Sequence, residues 1–130
     1  MRAISFAWTT PALVAGRKTV TRREWKLRYA QSWHEGDVAA AWDKQPRFKG
    51  ARRVAVIRLT ADPRIENTRD LPEADWENEG FAYLEERGLL VDGHSAGFMW
   101  RGWKILPRDF WVVRFELVDP PVGGELNGVD

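Results

Sequence analysis

Eight residues concentrate the polar chemistry of this chain. Gly16-Arg17-Lys18-Thr19-Val20-Thr21-Arg22-Arg23 sets two hydroxyls and a lysine among three arginines, directly after a glycine. Glycine lets the backbone turn sharply, and a β-branched continuation favours a strand, so the run is expected to leave a short helix and enter a sheet. Held that way, Arg17, Lys18, Thr19, Arg22 and Arg23 offer donors for an anion or a nucleotide. The competing reading is structural, since cations on a strand also form a solvated face or guard an edge; from this run alone the two readings stand level.

Tryptophan adds to the first reading. Of eight tryptophans, Trp25, Trp33 and Trp42 lie among the cations of the first half. Indole faces stack on bases while nearby cations hold phosphates, which makes Trp25 and Trp33 candidate binding residues. Most tryptophans are nonetheless core, so about two or three are expected to reach a ligand. Charge is divided as well: residues 1–60 carry 13 Lys and Arg against 4 Asp and Glu, and residues 61–130 carry 7 against 15. Such asymmetry points to nucleic-acid contact unless the two halves interleave and cancel.

The elements that must position these groups follow from pattern. Residues 2–8 read as a first strand. Thr9-Thr10-Pro11 offers a hydroxyl cap and an early proline for a helix over 11–15, ended by Gly16. A second strand is expected over 18–23, and 25–32 is open between loop and strand. Gly36-Asp37 is a turn into a third strand at 38–42; after a polar loop at 44–50, alternation predicts a fourth at 53–60. Asp70-Leu71-Pro72-Glu73 has the pattern of a capping box for a helix that runs to Glu79 and stops at Gly80, and 81–87 makes another that closes at Gly88. Residues 94–104 are helical or an ordered loop, and 110–118 alternate as a last strand. The sum is an α+β protein built round a mixed, barrel-like sheet with flanking helices.

At 130 residues, 44% apolar and 30% charged, the chain suits one domain, expected over 1–119, with a mobile tail over 120–130. Zero cysteines exclude disulfides and thiolate metal sites, and His34 and His94 are the only imidazoles, so neither a zinc centre nor a cofactor is expected; an all-carboxylate magnesium site stays open. No apolar run approaches the roughly 20 residues needed to cross a bilayer, and the N-terminus reads as a strand rather than a signal peptide. A cytoplasmic location without membrane contact is the expectation.

Three motif matches fail on context. Gly93-His94-Ser95-Ala96-Gly97 fits the nucleophile-elbow spelling, but no histidine follows Ser95, as that chemistry requires. Gly16-Arg17-Lys18-Thr19 lacks the adjacent Gly-Lys of a phosphate-binding loop. His34 beside Glu35 and Asp37 reads as a surface turn. Glu79 is different: it stands at an expected helix C-terminus, where the dipole disfavours an anion by roughly 0.3–1 kcal/mol, so its carboxylate wants a cation or a proton. Its alternative is to be the last of the acids Glu73, Asp75, Glu77 and Glu79 on a solvated helix.

With these residues in view, the chain resembles an ASCH domain of the PUA-like superfamily. The likeness rests on the 16–23 run after a strand and short helix, on Gly36-Asp37 before a strand, on the Glu79-Gly80-Phe81 junction and on the closing Trp111-Val112-Val113-Arg114-Phe115-Glu116, together spanning residues 2–118. It implies a PUA-like mixed β-barrel with flanking helices and a cleft for RNA or a modified nucleoside.

Within that superfamily the run is similar to that of bacterial N4-acetylcytidine amidohydrolases. Matching to them implies catalytic roles for Lys18, Thr21 and Glu79, with Arg23 steadying an acyl oxygen or a phosphate. Lys18, its pKa lowered by desolvation and neighbouring cations, would take the proton of Thr21, and Glu79 would protonate the departing amine. Residues three apart fall on opposite faces of a regular strand, so Lys18 and Thr21 need a bulge or a late strand start to cooperate. RNA or nucleoside binding therefore ranks first, amidohydrolysis second and a metal-assisted ribonuclease third.

Overall fold

The computed structural model describes residues 1–118; the tail expected at 120–130 lies outside the described residues. β1 (Arg2–Ser5) gives way to a 3-10 turn over Ala7–Thr9 and then α1 (Thr10–Val14), with Pro11 in its first turn, where a missing N–H costs no helical bond. The expected hydroxyl cap is not made. Thr9 Oγ1 donates instead to the Phe6 carbonyl at 2.8 Å, closing the turn that shortens the first strand. Gly16, at φ +76°, ends α1: its N–H donates to the Leu13 carbonyl at 2.9 Å and that of Arg17 to the Ala12 carbonyl at 2.8 Å. β2 (Val20–Arg23) begins two residues later than the expected strand.

Residues 25–32, open between loop and strand in the sequence, contain α2 (Leu27–Gln31). Trp25, Tyr29 and Trp33 recur every four residues, and Tyr29 packs edge-on against both indoles, so the turn has an aromatic side to bury. β3 (Val38–Trp42) lies where the Gly36-Asp37 turn placed it, and β4 (Arg53–Leu59) where alternation did. β5 (Arg64–Asn67) was not foreshadowed: its one large apolar residue, Ile65, is 55% exposed and leaves no alternation to read.

The acidic segment also differs from expectation. Leu71, preceding Pro72, is extended (φ −55°, ψ 121°), as sterics before proline favour. The helix therefore cannot pass through the expected capping box. Asn67 caps a 3-10 turn over Thr68–Asp70 by accepting from the Arg69 N–H, and α3 spans only Asp75–Asn78. α4 (Phe81–Glu86) follows, then α5 (Ala96–Ile105), whose N–H of Phe98 donates to Ser95 Oγ, and β6 (Asp109–Leu117). Ser95 is thus a helix cap.

The six strands form one mixed sheet in the order β1-β3-β4-β6-β2, with β5 also on β6. β1 runs parallel to β3, and the other pairs are antiparallel. β6, about 30 Å long by strand rise, holds β4 against residues 115–117 and β5 against 109–112, with β2 on its opposite edge. The end strands β1 and β2 are not paired, so the sheet is not closed into a barrel. A side chain spans the seam: Arg23 of β2 donates to the Ser5 carbonyl of β1 at 2.8 Å.

One apolar cluster joins Phe6, Leu13 and Trp33 to Ile57, Val113 and Phe115 on one face of the sheet. A second gathers Phe81, Leu84 and the half-buried Trp76, Trp100 and Trp103 among the helices. Among the described residues no helix is long and apolar enough to cross a membrane.

Candidate functional site

A glycine brings the two halves of the basic and acidic chemistry together. Gly80, between α3 and α4, has φ +87°, and a Cβ there would stand 2.5 Å from Ala12 Cβ and 3.3 Å from Lys18 Cβ. Only a residue without a side chain admits this approach and this backbone. The end of α3 is thereby laid against residues 18–19. Thr19 N–H donates to the Asn78 carbonyl at 2.7 Å, and Lys18 Nζ to the Glu79 carbonyl at 2.9 Å, which satisfies two carbonyls the short helix leaves open.

Lys18 Nζ also donates to Glu79 Oε1 at 3.0 Å, and Arg22 takes the other carboxylate oxygen at 2.7 Å. Arg22 reaches on to Asp75 Oδ2 at 2.7 Å, and Arg114 grips both oxygens of Asp75 at 3.0 and 2.9 Å. The side chains of Lys18, Arg22, Asp75 and Glu79 are each 3% exposed or less. Burial on this scale pushes the Lys18 amine below its ordinary value, an effect Glu79 opposes and the cations Arg23 and Arg22 reinforce. Burial pushes Asp75 upward, but hydrogen bonds from Arg114 and Arg22 outweigh it and hold the carboxyl below its usual range.

Arg17, at the start of the run, is paired too. Arg17 donates to Glu77 at 2.9–3.1 Å and lies 3.7 Å from Glu86. Thr19 is exposed, and its contribution to the junction is its backbone. The two oppositely charged halves of the chain therefore interleave: Arg17, Lys18 and Arg22 meet Glu77, Glu79 and Asp75, Arg58 meets Glu116, and Glu24 meets Arg108. Most of the run's charge is neutralised within the molecule.

Register divides the run by face. Arg22 lies opposite Val112 and Val20 opposite Arg114, and Arg22 and Arg114 converge on Asp75. Thr21 lies opposite Val113, a member of the sheet core, and Arg23 opposite Trp111. Paired residues share a face, so Thr21 and Arg23 look away from the Asp75 side. β2 begins only at Val20, the late start that cooperation of Lys18 with Thr21 requires. Lys18, Arg22 and Glu79 are joined directly; among the described residues no hydrogen bond ties the buried Thr21 hydroxyl to Lys18 or Glu79.

Arg23 opens onto a cavity of about 350 Å³ at the β1–β2 seam, walled by Ser5, Trp25, Tyr29, Gln45 and Arg47. Burial holds its guanidinium below its ordinary value, opposed in part by Glu79 and Tyr29. Among the described residues no carboxylate pairs with it, and its one hydrogen bond goes to Ser5. Trp25 stacks on Trp33 with centroids 5.5 Å apart and rings 13° from parallel. Trp33 itself is 1% exposed, so it backs Trp25 rather than offering a face of its own.

Sequence reasoning did not single out Asp75, Arg114, Tyr29 or Arg47. Tyr29 carried a signal, its four-residue spacing from Trp25 and Trp33. Asp75 and Arg114 carried none, since they are 39 residues apart and meet only through the fold. His34 forms a local turn, its N–H donating to Asp37 Oδ2 at 2.8 Å.

No family model matches the chain, and no curated protein matches it. Among solved structures, the crystal structure of protein EF3133 from Enterococcus faecalis V583, of family DUF984, is similar with a TM-score of 0.51 and 21% identity, covering 87% of this chain and 71% of that one. That likeness is one of fold.

Proposed function

We propose that the chain is a nucleoside-recognition domain of the ASCH type, a PUA-like barrel left open at the β1–β2 seam, and that the seam cavity takes a nucleoside, free or within RNA. The observation that carries this reading is the convergence of Trp25, Tyr29 and Arg23 on one cavity of about 350 Å³, within the usual range for a small ligand. A base stacks on Trp25 beside the exposed Tyr29 of α2, and Arg23 donates to its carbonyl or to an attached oxygen. The intramolecular pairing of Arg17, Lys18 and Arg22 moves the interface from the whole 16–23 run to Arg23 and its aromatic neighbours. A recognition role of this kind suits a cytoplasmic protein.

Titrating native protein and Trp25→Ala with cytidine and N4-acetylcytidine, followed by tryptophan fluorescence, tests it. Stacking is worth roughly 1–3 kcal/mol per base, so the variant should bind about 5- to 150-fold more weakly. Equal binding by both proteins would overturn the reading.

The second reading, amidohydrolysis of an N4-acylated nucleoside, is favoured by the buried Lys18–Glu79 pair beside Arg23. Mass-spectrometric detection of cytidine from N4-acetylcytidine, lost in Lys18→Ala, Thr21→Ala and Glu79→Gln, decides between a catalyst and a binder. The metal-assisted ribonuclease has less support: among the described residues no three histidine or carboxylate side chains converge.

A further inference from the structure

Two arginines line the seam cavity from different elements, and among the described residues no acid lines it; the Arg47 guanidinium lies over the Phe48 ring, 4.9 Å from its centroid. Arg23 comes from β2 and Arg47 from the loop between β3 and β4. Among the described residues neither makes a salt bridge, whereas Arg17, Lys18, Arg22 and Arg114 all do. A desolvated guanidinium with no direct salt-bridge partner is costly; Glu79 acts on Arg23 only through its longer-range field, and Arg23 uses one of its five N–H donors on Ser5. The loop that carries Arg47 is rich in cations: Lys44, Arg47, Lys49 and Arg52 stand against Asp43, which is itself engaged by Arg52, and Arg53 opens β4 beyond them. The cavity therefore combines an aromatic wall with unmatched positive charge.

From this we infer that the ligand of the seam cavity is a phosphorylated nucleoside, with its base on Trp25 and Tyr29 and its phosphate between Arg23 and Arg47. This inference rests on the nucleoside reading and adds the phosphate to it. Arginine suits the task, because its planar fork meets phosphate oxygens two at a time. The phosphate belongs either to a free nucleotide or to one unit of a strand, and the basic loop beyond Arg47 would follow the strand in the second case.

Isothermal titration of the full chain with the four ribonucleosides and their 5′-monophosphates tests the inference. Arg47→Ala serves as the main variant, since Arg47 is exposed and outside the sheet; an unchanged melting temperature verifies its fold. At least one monophosphate should bind about tenfold or more tightly than its nucleoside, and Arg47→Ala should remove most of that difference; a ratio unchanged in Arg47→Ala would take Arg47 out of the phosphate site and overturn the assignment. Equal affinity for nucleoside and monophosphate would overturn the phosphate assignment and spare the nucleoside reading; no binding of either class would overturn both. A single-stranded RNA dodecamer that binds more tightly than the monophosphate, with affinity falling steeply in salt, identifies a strand as the source. Parity between the two identifies a free nucleotide.

Discussion

Lys18 meets Glu79 twice, donating from one ammonium to the side-chain Oε1 at 3.0 Å and to the backbone carbonyl at 2.9 Å. The second contact fixes the nitrogen at the end of α3 and the first orients the carboxylate, whose other oxygen Arg22 holds at 2.7 Å. Such a pair gains from Coulomb attraction what it loses in desolvation, and removing one partner strands the other.

Glu79→Gln should therefore destabilise the protein by about 3–5 kcal/mol, a fall in melting temperature on the order of 10–20 °C, because Lys18 stays buried without its counter-charge. Adding Lys18→Met to that variant removes the stranded ammonium and should recover part of the loss. Thermal unfolding followed by circular dichroism reads both effects. A double variant that melts lower than Glu79→Gln alone would show that the pair is not the unit that matters.

Asp75 should govern the acid limb of stability. Its carboxyl titrates below the ordinary value of 3.8 when folded, so as pH falls through 3.8 the unfolded chain takes up the proton first. The stabilisation that Asp75 supplies is complete above that value and drains away as pH drops toward the folded pKa. Urea unfolding from pH 5 downward should show this loss in the native protein and a shallower dependence in Asp75→Asn, which starts from a lower stability at neutral pH. Parallel profiles would refute the assignment.

The contrast between β3, β4 and β6 on one side and β5 on the other shows what governs legibility. β4 and β6 have a buried residue at alternate positions over much of their length, a period that survives in the sequence, and β3 is a short apolar run, Val38 to Trp42, set off by the Gly36-Asp37 turn. β5 is four residues of mixed polarity whose pairing with β6 is a property of the bend after Leu59, not of its own composition. Gly16 and Gly80 were legible as breaks, and Glu79 as a carboxylate in want of a cation. What could not be read was which cation would answer it. Lys18 and Arg22 are some 60 residues away, and Asp75, four residues earlier in the same acidic series, looks in the sequence like any solvated acid yet is 1% exposed. Convergence of that kind depends on the seating of α3 over β2 and β6, which no local pattern encodes.

That seating makes Gly80 a sharper probe than its size suggests. At φ +87° any side chain is strained by about 1–3 kcal/mol, and the new Cβ of Gly80→Ala would also overlap Ala12 at 2.5 Å. Gly88, at φ +65°, has open space around the same position and isolates the backbone part of the cost. Gly80→Ala should lower the melting temperature well beyond Gly88→Ala and weaken any activity that uses Lys18, since α3 must move off residues 18–19 to admit the methyl group. Equal shifts in the two variants would mean that the close approach carries no weight.

The pH dependence of Lys18 has the opposite sign to that of Asp75. Because burial lowers its pKa below the ordinary 10.5, the unfolded state holds the proton at pH values where the folded state has released it, so stability should rise as pH climbs from the folded value toward 10.5. Lys18→Met carries no such group and should show a flatter profile over that alkaline window, measured by urea unfolding. If the protein also deacylates nucleosides through Lys18 as a base, its rate should rise with pH along the titration of the same amine, while binding of an unreactive nucleoside stays level. A rate that is flat across that window, in a protein whose stability profile does report Lys18, would remove the amine from the chemistry and leave it as the structural partner of Glu79.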